Sequence, residues 1–265
     1  MKKVILALAV VSAFSYNIPN KKETIQMAGA YKMLSQVVTI GQKDSAISNI
    51  NQFKIYTSDY MMYANLSSNN GDTVSSFGTG SYTMSGGKVI ENVIYGASDT
   101  SISTNSSSFT LEIKKTAKGY KQVIPDMGES AGQKVKLTEE YEKVSSATKS
   151  PLDGAWKQVK AYSIRGKDTT IFPNTQFKTY YAGHFIWGST YKDSTNKNHT
   201  GIGFGTFKVN GNNKIRETVM MSTYSVLNGQ SLDFDIKMKG NDEFQQTGTY
   251  SQGETNVELY RRVKK

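Results

Sequence analysis

The residue types that most often do chemistry are scarce in this sequence. Its 265 residues include no cysteine and two histidines, His184 and His199. The absence of cysteine excludes disulfides, thiolate nucleophiles, iron–sulfur clusters and cysteine-bound zinc. Two histidines leave little material for a Ser-His-Asp triad or a histidine-rich metal site. We therefore expect a protein that is not an enzyme and that has no catalytic residues, no metal site and no cofactor.

The remaining candidates for acid–base chemistry are two glutamates and the two histidines. Glu91 and Glu217 occupy equivalent positions of an internal repeat, and paired carboxylates carry out glycoside hydrolysis. The two copies form different domains, however, so we expect each glutamate to face solvent from a strand. His184 stands where the other copy has Tyr60, which favours a surface or hydrogen-bonding role, and His199 lies in a polar loop.

The internal repeat organises the whole chain. Matching segments recur in one order, and chance matches would not stay collinear. The clearest pairs are Gly29-Ala30-Tyr31-Lys32 with Gly154-Ala155-Trp156-Lys157, Gln52-Phe53-Lys54 with Gln176-Phe177-Lys178, and Gly78-x-Gly80 with Gly203-x-Gly205. A period of this length is too long for a solenoid unit. We therefore predict a tandem duplication, with one domain over residues 16–146 and a second over residues 151–265.

Each copy has the pattern of a series of short strands. In the second copy, β-branched and aromatic residues concentrate in eight segments, several of them separated by turn residues. These segments are residues 155–164, 176–181, 184–189, 201–209, 214–222, 231–239, 243–250 and 256–263. No stretch has three turns of helical periodicity. We predict an all-β protein of two tandem eight-stranded antiparallel barrels, because closure removes exposed edges; two β-sandwiches are the alternative.

The opening of each repeat resembles the Gly-x-Trp signature of lipocalins. Gly154-Ala155-Trp156 has this pattern, and Gly29-Ala30-Tyr31 has it with tyrosine in place of tryptophan. The sequence also resembles the lipocalin-like domains of exported bacterial proteins. The resemblance implies two lipocalin-like barrels.

In lipocalins a basic residue of the last strand packs across the signature ring and closes one barrel end. By that resemblance, Arg261 or Arg262 would cover Trp156, and Lys143 would cover Tyr31. Each contact would be a cation–π interaction worth about 0.5–2 kcal/mol. We expect these five residues to be structural.

Large apolar residues on equivalent strands are the candidates for lining a barrel lumen. Such residues usually face inward, where they either fill a core or line an apolar pocket. The residues predicted to line a ligand site are Phe185, Trp187, Met61, Tyr63, Phe177 and Phe53.

Residues 1–15 have the layout of a secretory signal peptide. A short basic start precedes an apolar run from residue 4 to residue 14, and Ala13 and Ser15 suit a cleavage site before Tyr16. The run is too short to span a bilayer, and no second stretch reaches about 20 apolar residues. We expect an exported protein, periplasmic, surface-associated or extracellular, that does not span the membrane.

The formal net charge is +10, and four of the last five residues are basic. A basic tail can attract nucleic acid, but export argues against nucleic acid as a partner, and we interpret the tail as a solvated end. The sequence favours a non-enzymatic binding protein that holds a small hydrophobic ligand in a barrel lumen. The alternative is a structural or adhesive surface protein that binds a partner protein or a glycan.

Overall fold

The computed structural model describes residues 26–69, 72–145, 149–211, 213–249 and 253–264. The strands of the first half are β1 (Gly29–Ile40), β2 (Lys43–Ile47), β3 (Ile50–Tyr56), β4 (Tyr60–Asn69), β5 (Asp72–Ser85), β6 (Lys88–Ser98), β7 (Ile102–Ser103), β8 (Ser107–Lys115), β9 (Gly119–Ile124), β10 (Glu129–Ser130) and β11 (Gln133–Lys143). Those of the second half are β12 (Gly154–Arg165), β13 (Asp168–Ile171), β14 (Thr175–Tyr181), β15 (His184–Lys192), β16 (Asn198–Asn210), β17 (Lys214–Ser222), β18 (Ser231–Lys239), β19 (Glu243–Thr249) and β20 (Thr255–Arg262), with a 3₁₀ helix (Ser225–Leu227) before β18. The segment with the signal-peptide pattern, residues 1–15, lies outside the described residues.

Eight long antiparallel strands close each half into a barrel. The first barrel runs β1-β3-β4-β5-β6-β8-β9-β11 and closes where β11 pairs with β1. The second runs β12-β14-β15-β16-β17-β18-β19-β20 and closes where β20 pairs with β12. Four short strands pair antiparallel with long strands of the barrels: β2 with β1, β7 with β6, β10 with β11, and β13 with β12. The prediction of two closed eight-stranded barrels is confirmed, and the sandwich alternative is rejected.

The strands follow from the alternating sequence and from glycines placed where they bend. The eight strands predicted in the second half are confirmed, each within three residues at either end. A bulge interrupts β5 at Gly80 and β16 at Gly205. A Cβ atom there would lie 1.9 Å from the backbone oxygen of Asn92 and 2.0 Å from that of Thr218, respectively. Only glycine fits at these two equivalent points of barrel curvature.

The two barrels pack against each other through apolar outer faces of β3 to β6 and β14 to β16. One buried cluster spans both barrels: Ala30, Phe53, Ile55, Met62, Ala64, Phe77, Tyr95, Ala97, Phe177, Ile186, Ile202 and Phe204. The rings of Phe53 and Phe204 stack with their centroids 5.2 Å apart. At Gly188, the missing side chain makes room for the ring of Phe77, whose Cγ would lie 2.4 Å from a Cβ atom. We call this cluster the inter-barrel contact.

Phe53 and Phe177 belong to the inter-barrel contact, so the prediction that they line a lumen is wrong for both. Side chains alternate between the two faces of a strand. The inward positions next to these two phenylalanines hold Lys54 and Lys178, which line the barrel cavities. The outer faces of β3 and β14 are apolar because the other barrel covers them.

A basic residue of the last strand covers the aromatic residue of the first strand in each barrel. Cζ of Arg262 lies 4.0 Å from the ring centroid of Trp156, whose Nε1 donates a hydrogen bond to the backbone oxygen of Leu152 at 2.7 Å. In the first barrel, Nζ of Lys143 lies 5.9 Å from the ring centroid of Tyr31. These contacts stand at one end of each barrel.

Arg261 does not take part in this contact, so its predicted barrel-closing role is wrong. Its Nη2 lies 2.8 Å from Oε1 of Glu243 in an exposed ion pair. Adjacent residues of a strand face opposite sides, so Arg261 faces solvent where Arg262 covers the ring.

Candidate functional site

The lumen of the second barrel contains a cavity of about 430 Å³, a volume within the range of small-molecule sites. The wall is mainly apolar and aromatic and includes Phe172, Trp187, Tyr191, Tyr224, Leu227, Leu232 and Phe234, with the exposed Lys192 also lining the cavity. Polar side chains form the floor: Gln176, Lys178, Glu217, Gln246 and Glu258. Beyond the floor, the edge-to-face pairs Trp156–Phe244 and Tyr180–Phe207 fill the barrel. The cavity is therefore a cup with an apolar wall and a polar floor.

Trp187 is the largest side chain of the cavity wall. Its ring is stacked on Tyr224, with centroids 5.9 Å apart and planes 15° apart. The ring lies across Gly203 of β16, where a Cβ atom would come within 2.5 Å of the indole Nε1. Glycine at position 203 therefore gives the ring its place on the wall. Contact between Trp187 and a ligand stays a prediction.

Lys178 and Glu217 form a buried ion pair in the floor. Nζ of Lys178 lies 2.7 Å from Oε1 of Glu217 and donates to Oε1 of Gln246 at 3.3 Å. The hydroxyl of Tyr180 donates a hydrogen bond to the same carboxylate, and burial together with that negative charge raises the pKa of Tyr180 well above its usual range. The expectation that Glu217 faces solvent is wrong, because the ammonium and the hydroxyl stabilise an inward-facing carboxylate.

Glu258 is the second carboxyl group of the floor, and it is only partly buried because it faces the cavity. Its Oε1 accepts a hydrogen bond from Nε2 of Gln158 and its Oε2 accepts one from the hydroxyl of Tyr260, each at 3.1 Å. Within the described part of the chain, no ion pair includes Glu258. Removal from bulk water raises its pKa, and the charge of Lys178 opposes that rise.

The first barrel repeats the ion pair around a smaller cavity of about 220 Å³. Nζ of Lys54 lies 3.0 Å from Oε1 of Glu91, and Tyr56 donates a hydrogen bond to the same oxygen. Glu91 is thus buried and paired like Glu217, so its predicted solvent-facing position is wrong as well.

Tyr63 and Met61 face the interior of the first barrel. Tyr63 lines the smaller cavity, and its ring lies across Gly78 as that of Trp187 lies across Gly203. Burial raises the pKa of Tyr63 to about 12, so its hydroxyl stays protonated at neutral pH. Met61 is packed in the core of the first barrel, and Phe185 is packed in that of the second.

The two histidines lie outside both cavities. His184 is part of the interface between the barrels, where its ring stacks on Phe53 at 5.6 Å and its Nδ1 lies 3.2 Å from the backbone oxygen of Ala182. His199 is paired with Asp193 at 2.7 Å. Among the described residues, no three acidic or histidine side chains are arranged to hold a metal ion. No helix within these residues is long and apolar enough to cross a membrane.

The polar floor was missed by the sequence analysis, although the repeat contains its signal. Gln52-x-Lys54-x-Tyr56 and Gln176-x-Lys178-x-Tyr180 alternate with period two and recur in both copies. Polar side chains kept at one face of equivalent strands indicate an inward hydrogen-bonding layer when the other face is apolar. Glu258 and Glu139 are likewise equivalent, two residues before Tyr260 and Tyr141.

Comparison with known proteins gives matches to solved structures at low identity and low TM-score. No family model and no curated protein matches the sequence. A redesigned β-barrel has 15% identity and a TM-score of 0.30 over 45% of this chain and 100% of its own. A protein of unknown function from the DUF3598 family of Nostoc punctiforme has 10% identity and a TM-score of 0.25, over 89% of this chain and 96% of its own. The Aeromonas veronii immune modulator A has 10% identity and a TM-score of 0.26, over 90% of this chain and 95% of its own.

Proposed function

We propose that this chain is an exported, non-enzymatic binding protein that holds a small ligand in the lumen of its second barrel. The observation that carries the proposal is the cup of about 430 Å³ with Trp187 on its wall. A largely apolar wall with a few convergent polar groups is the usual make-up of a small-molecule site. Export rests on the sequence pattern of residues 1–15.

The polar floor refines the kind of ligand. A purely apolar molecule would pack well against the wall. It would also place an apolar group against the carboxylate of Glu258 in the floor, and burial of a carboxylate without a polar partner is unfavourable. A ligand with an apolar body and one polar end satisfies both parts of the cup. We therefore propose an amphipathic ligand rather than the purely hydrophobic one that the sequence suggested.

We also propose that the barrels are of the lipocalin-like type. The support is the pair of ring contacts at the barrel ends, Arg262 over Trp156 and Lys143 over Tyr31, together with the eight-stranded closure of each barrel. Cleavage before Tyr16 and recovery of the mature protein outside the cytoplasm would test the proposed export.

The test of ligand binding uses a matched pair of cavity-filling variants. Val219 lines the larger cavity and Val93, at the equivalent position, lines the smaller one. Native mass spectrometry of protein purified from the cells that naturally make it should find a bound small molecule in the wild type and in V93F, and none in V219F. A ligand-free wild type that also takes up no small aromatic probe, or a ligand retained by V219F, would contradict the proposal.

A second candidate function is the binding of a partner protein, and one surface favours it. A groove of about 750 Å³ between the two barrels is lined by Ile94, Val159, Lys157 and Arg261, among others. Ile94 and Val159 are large apolar side chains that stay 40% and 49% exposed. The variant V159E replaces an apolar side chain of the groove with a charged one. Retention of a partner by the wild type and not by V159E would support this candidate.

A further inference from the structure

We infer that the second barrel selects organic cations: the ligand carries an amine or ammonium group that pairs with Glu258 while its apolar body contacts Trp187 and Phe234. This inference rests on the proposed function, since it names the ligand class of the same cavity. It is carried by the balance of charges in the floor, by a comparison with the first barrel, and by the aromatic wall.

The floor contains one more acid than base. Two lysines line the cavity: Lys192 is exposed, whereas Lys178 is buried in the floor, with its Nζ already bound to Glu217 at 2.7 Å and to Gln246 at 3.3 Å. The positive charge of Lys178 is therefore balanced by the negative charge of Glu217. Among the described residues, Glu258 is left as a carboxyl group without an ion-pair partner of its own. A ligand that supplies a positive charge completes this arrangement.

In the first barrel, the carboxylate equivalent to Glu258 is that of Glu139, and groups of the protein supply all of its hydrogen bonds. Glu139 accepts hydrogen bonds from Gln36, Gln52, Gln122 and Tyr141, and it is 3% exposed.

Glu258 accepts hydrogen bonds from Gln158 and Tyr260, each at 3.1 Å, and Gln176 interacts with it more weakly. Gln246, the counterpart of Gln122, turns its oxygen to Lys178 and Tyr180 instead. A carboxylate can accept about four hydrogen bonds, so Glu258 keeps free acceptor capacity, and it faces the larger cavity.

The aromatic wall suits a cation as well as an apolar body. The faces of aromatic rings attract positive charge, and aromatic cages are used to recognise ammonium groups. This lumen already holds one ammonium in that way, because Nζ of Lys178 lies 5.2 to 5.7 Å from the ring centroids of Tyr180, Phe185 and Phe234. Trp187 and Tyr224 offer two further rings above the floor.

Ligands with other end groups fit the floor less well. At the floor, an anionic group would meet the carboxylate of Glu258, and Lys178 is already paired with Glu217. An uncharged hydroxyl could donate a hydrogen bond to Glu258 but would leave its charge uncompensated. The order of preference is therefore cation, then neutral group, then anion.

The experiment compares three compounds with one aromatic body: 2-phenylethylamine, 2-phenylethanol and phenylacetate. Each is titrated by isothermal calorimetry into the full-length wild type, E258Q and the matched first-barrel variant E139Q, at pH 7.5. We expect the amine to bind the wild type and E139Q about ten-fold more tightly than the alcohol, the difference that one charge-assisted hydrogen bond supplies. In E258Q the amine should fall to the affinity of the alcohol, while the alcohol should bind as before.

The outcomes separate this inference from the proposed function. If the alcohol binds and the amine binds no better, or if E258Q keeps the preference for the amine, the cavity is a ligand site and the cation inference is overturned. If none of the three compounds binds the wild type, both are contradicted. Should E258Q fail to fold, the ratio of amine to alcohol affinity in the wild type decides the inference by itself.

Discussion

Nζ of Lys178 lies 2.7 Å from Oε1 of Glu217 inside the second barrel, with each side chain only 4% exposed. Lys54 and Glu91 repeat the pair in the first barrel at 3.0 Å. Removal of two charges from water is costly, and the pair is tolerated because hydroxyl and amide groups add to the mutual attraction. The duplicated pair gives both barrels a buried polar layer that lines the cavity.

Loss of one partner of this pair should be far more damaging than loss of both. We expect E217Q to lower the free energy of unfolding by about 3–5 kcal/mol, because it leaves the Lys178 ammonium buried without a counter-charge. The double variant K178M/E217Q should be less destabilised than either E217Q or K178M alone. Urea denaturation of E217Q, K178M and K178M/E217Q measures the coupling.

The control for that cycle is the exposed pair Arg216–Asp233, which also joins two oppositely charged side chains of the second barrel, at 2.6 Å. Exposed pairs contribute at most about 1 kcal/mol. D233N should therefore be nearly silent, and a loss as large as that of E217Q would show that burial is not what makes the Lys178–Glu217 pair important.

The two neighbouring arginines of β20 should differ sharply in their effect on stability. Arg262 packs against the ring of Trp156, and it also donates hydrogen bonds to the backbone oxygens of Asn241 and Asp153, at 2.8 and 2.9 Å. We expect R262A to lower the free energy of unfolding by about 1–3 kcal/mol, whereas R261A should cost less than about 1 kcal/mol because it removes one exposed ion pair. Thermal melts of the two variants give the comparison, and equal losses would contradict a closing role for Arg262.

The architecture was predictable from the sequence, but the orientation of the aromatic strands was not. Period-two alternation and the repeat predict eight strands per copy, and Leu232-x-Phe234-x-Ile236-x-Met238 is a typical case. For β14, the same alternation leaves two choices, with either Phe177 or Lys178 facing inward. Burial of apolar residues normally decides such a choice. Here both faces of the strand are buried, one by the lumen and one by the other barrel, so the apolar face marks the inter-barrel contact and the polar face marks the cavity.

The inter-barrel contact should be sensitive to a single methyl group at Gly188. A Cβ atom there would lie 2.4 Å from the ring of Phe77, so G188A must displace the ring or separate the barrels. We expect a loss of about 1–3 kcal/mol in unfolding free energy, measured by urea denaturation. G96A is the matched control, because it also adds a methyl group to a strand glycine but finds its nearest neighbour at 3.9 Å; comparable losses in both would contradict a tight contact at Gly188.

His184 should make the inter-barrel contact sensitive to pH. Its side chain is buried among apolar groups, with the ring of Phe53 stacked 5.6 Å away, and this burial lowers its pKa below the usual 6.5. The unfolded chain therefore binds a proton at this position before the folded chain does. Folding stability that depends on neutral His184 is complete above pH 6.5 and is lost as the pH falls below that value, by at most about 1.4 kcal/mol per pH unit.

The measurement is the difference in unfolding free energy between the wild type and H184F from pH 7.5 to pH 5. Phenylalanine keeps a ring against Phe53 but does not titrate, so H184F should lose less stability than the wild type over this range. The difference between the two curves isolates His184 from Glu258, whose raised pKa acts in the opposite direction. Asp193 does not interfere with this measurement. Its hydrogen bonds lower its pKa, so any stability that this carboxylate contributes is lost only at a pH more acidic than the range measured. Parallel curves for the two proteins would show that protonation of His184 does not weaken the contact between the barrels.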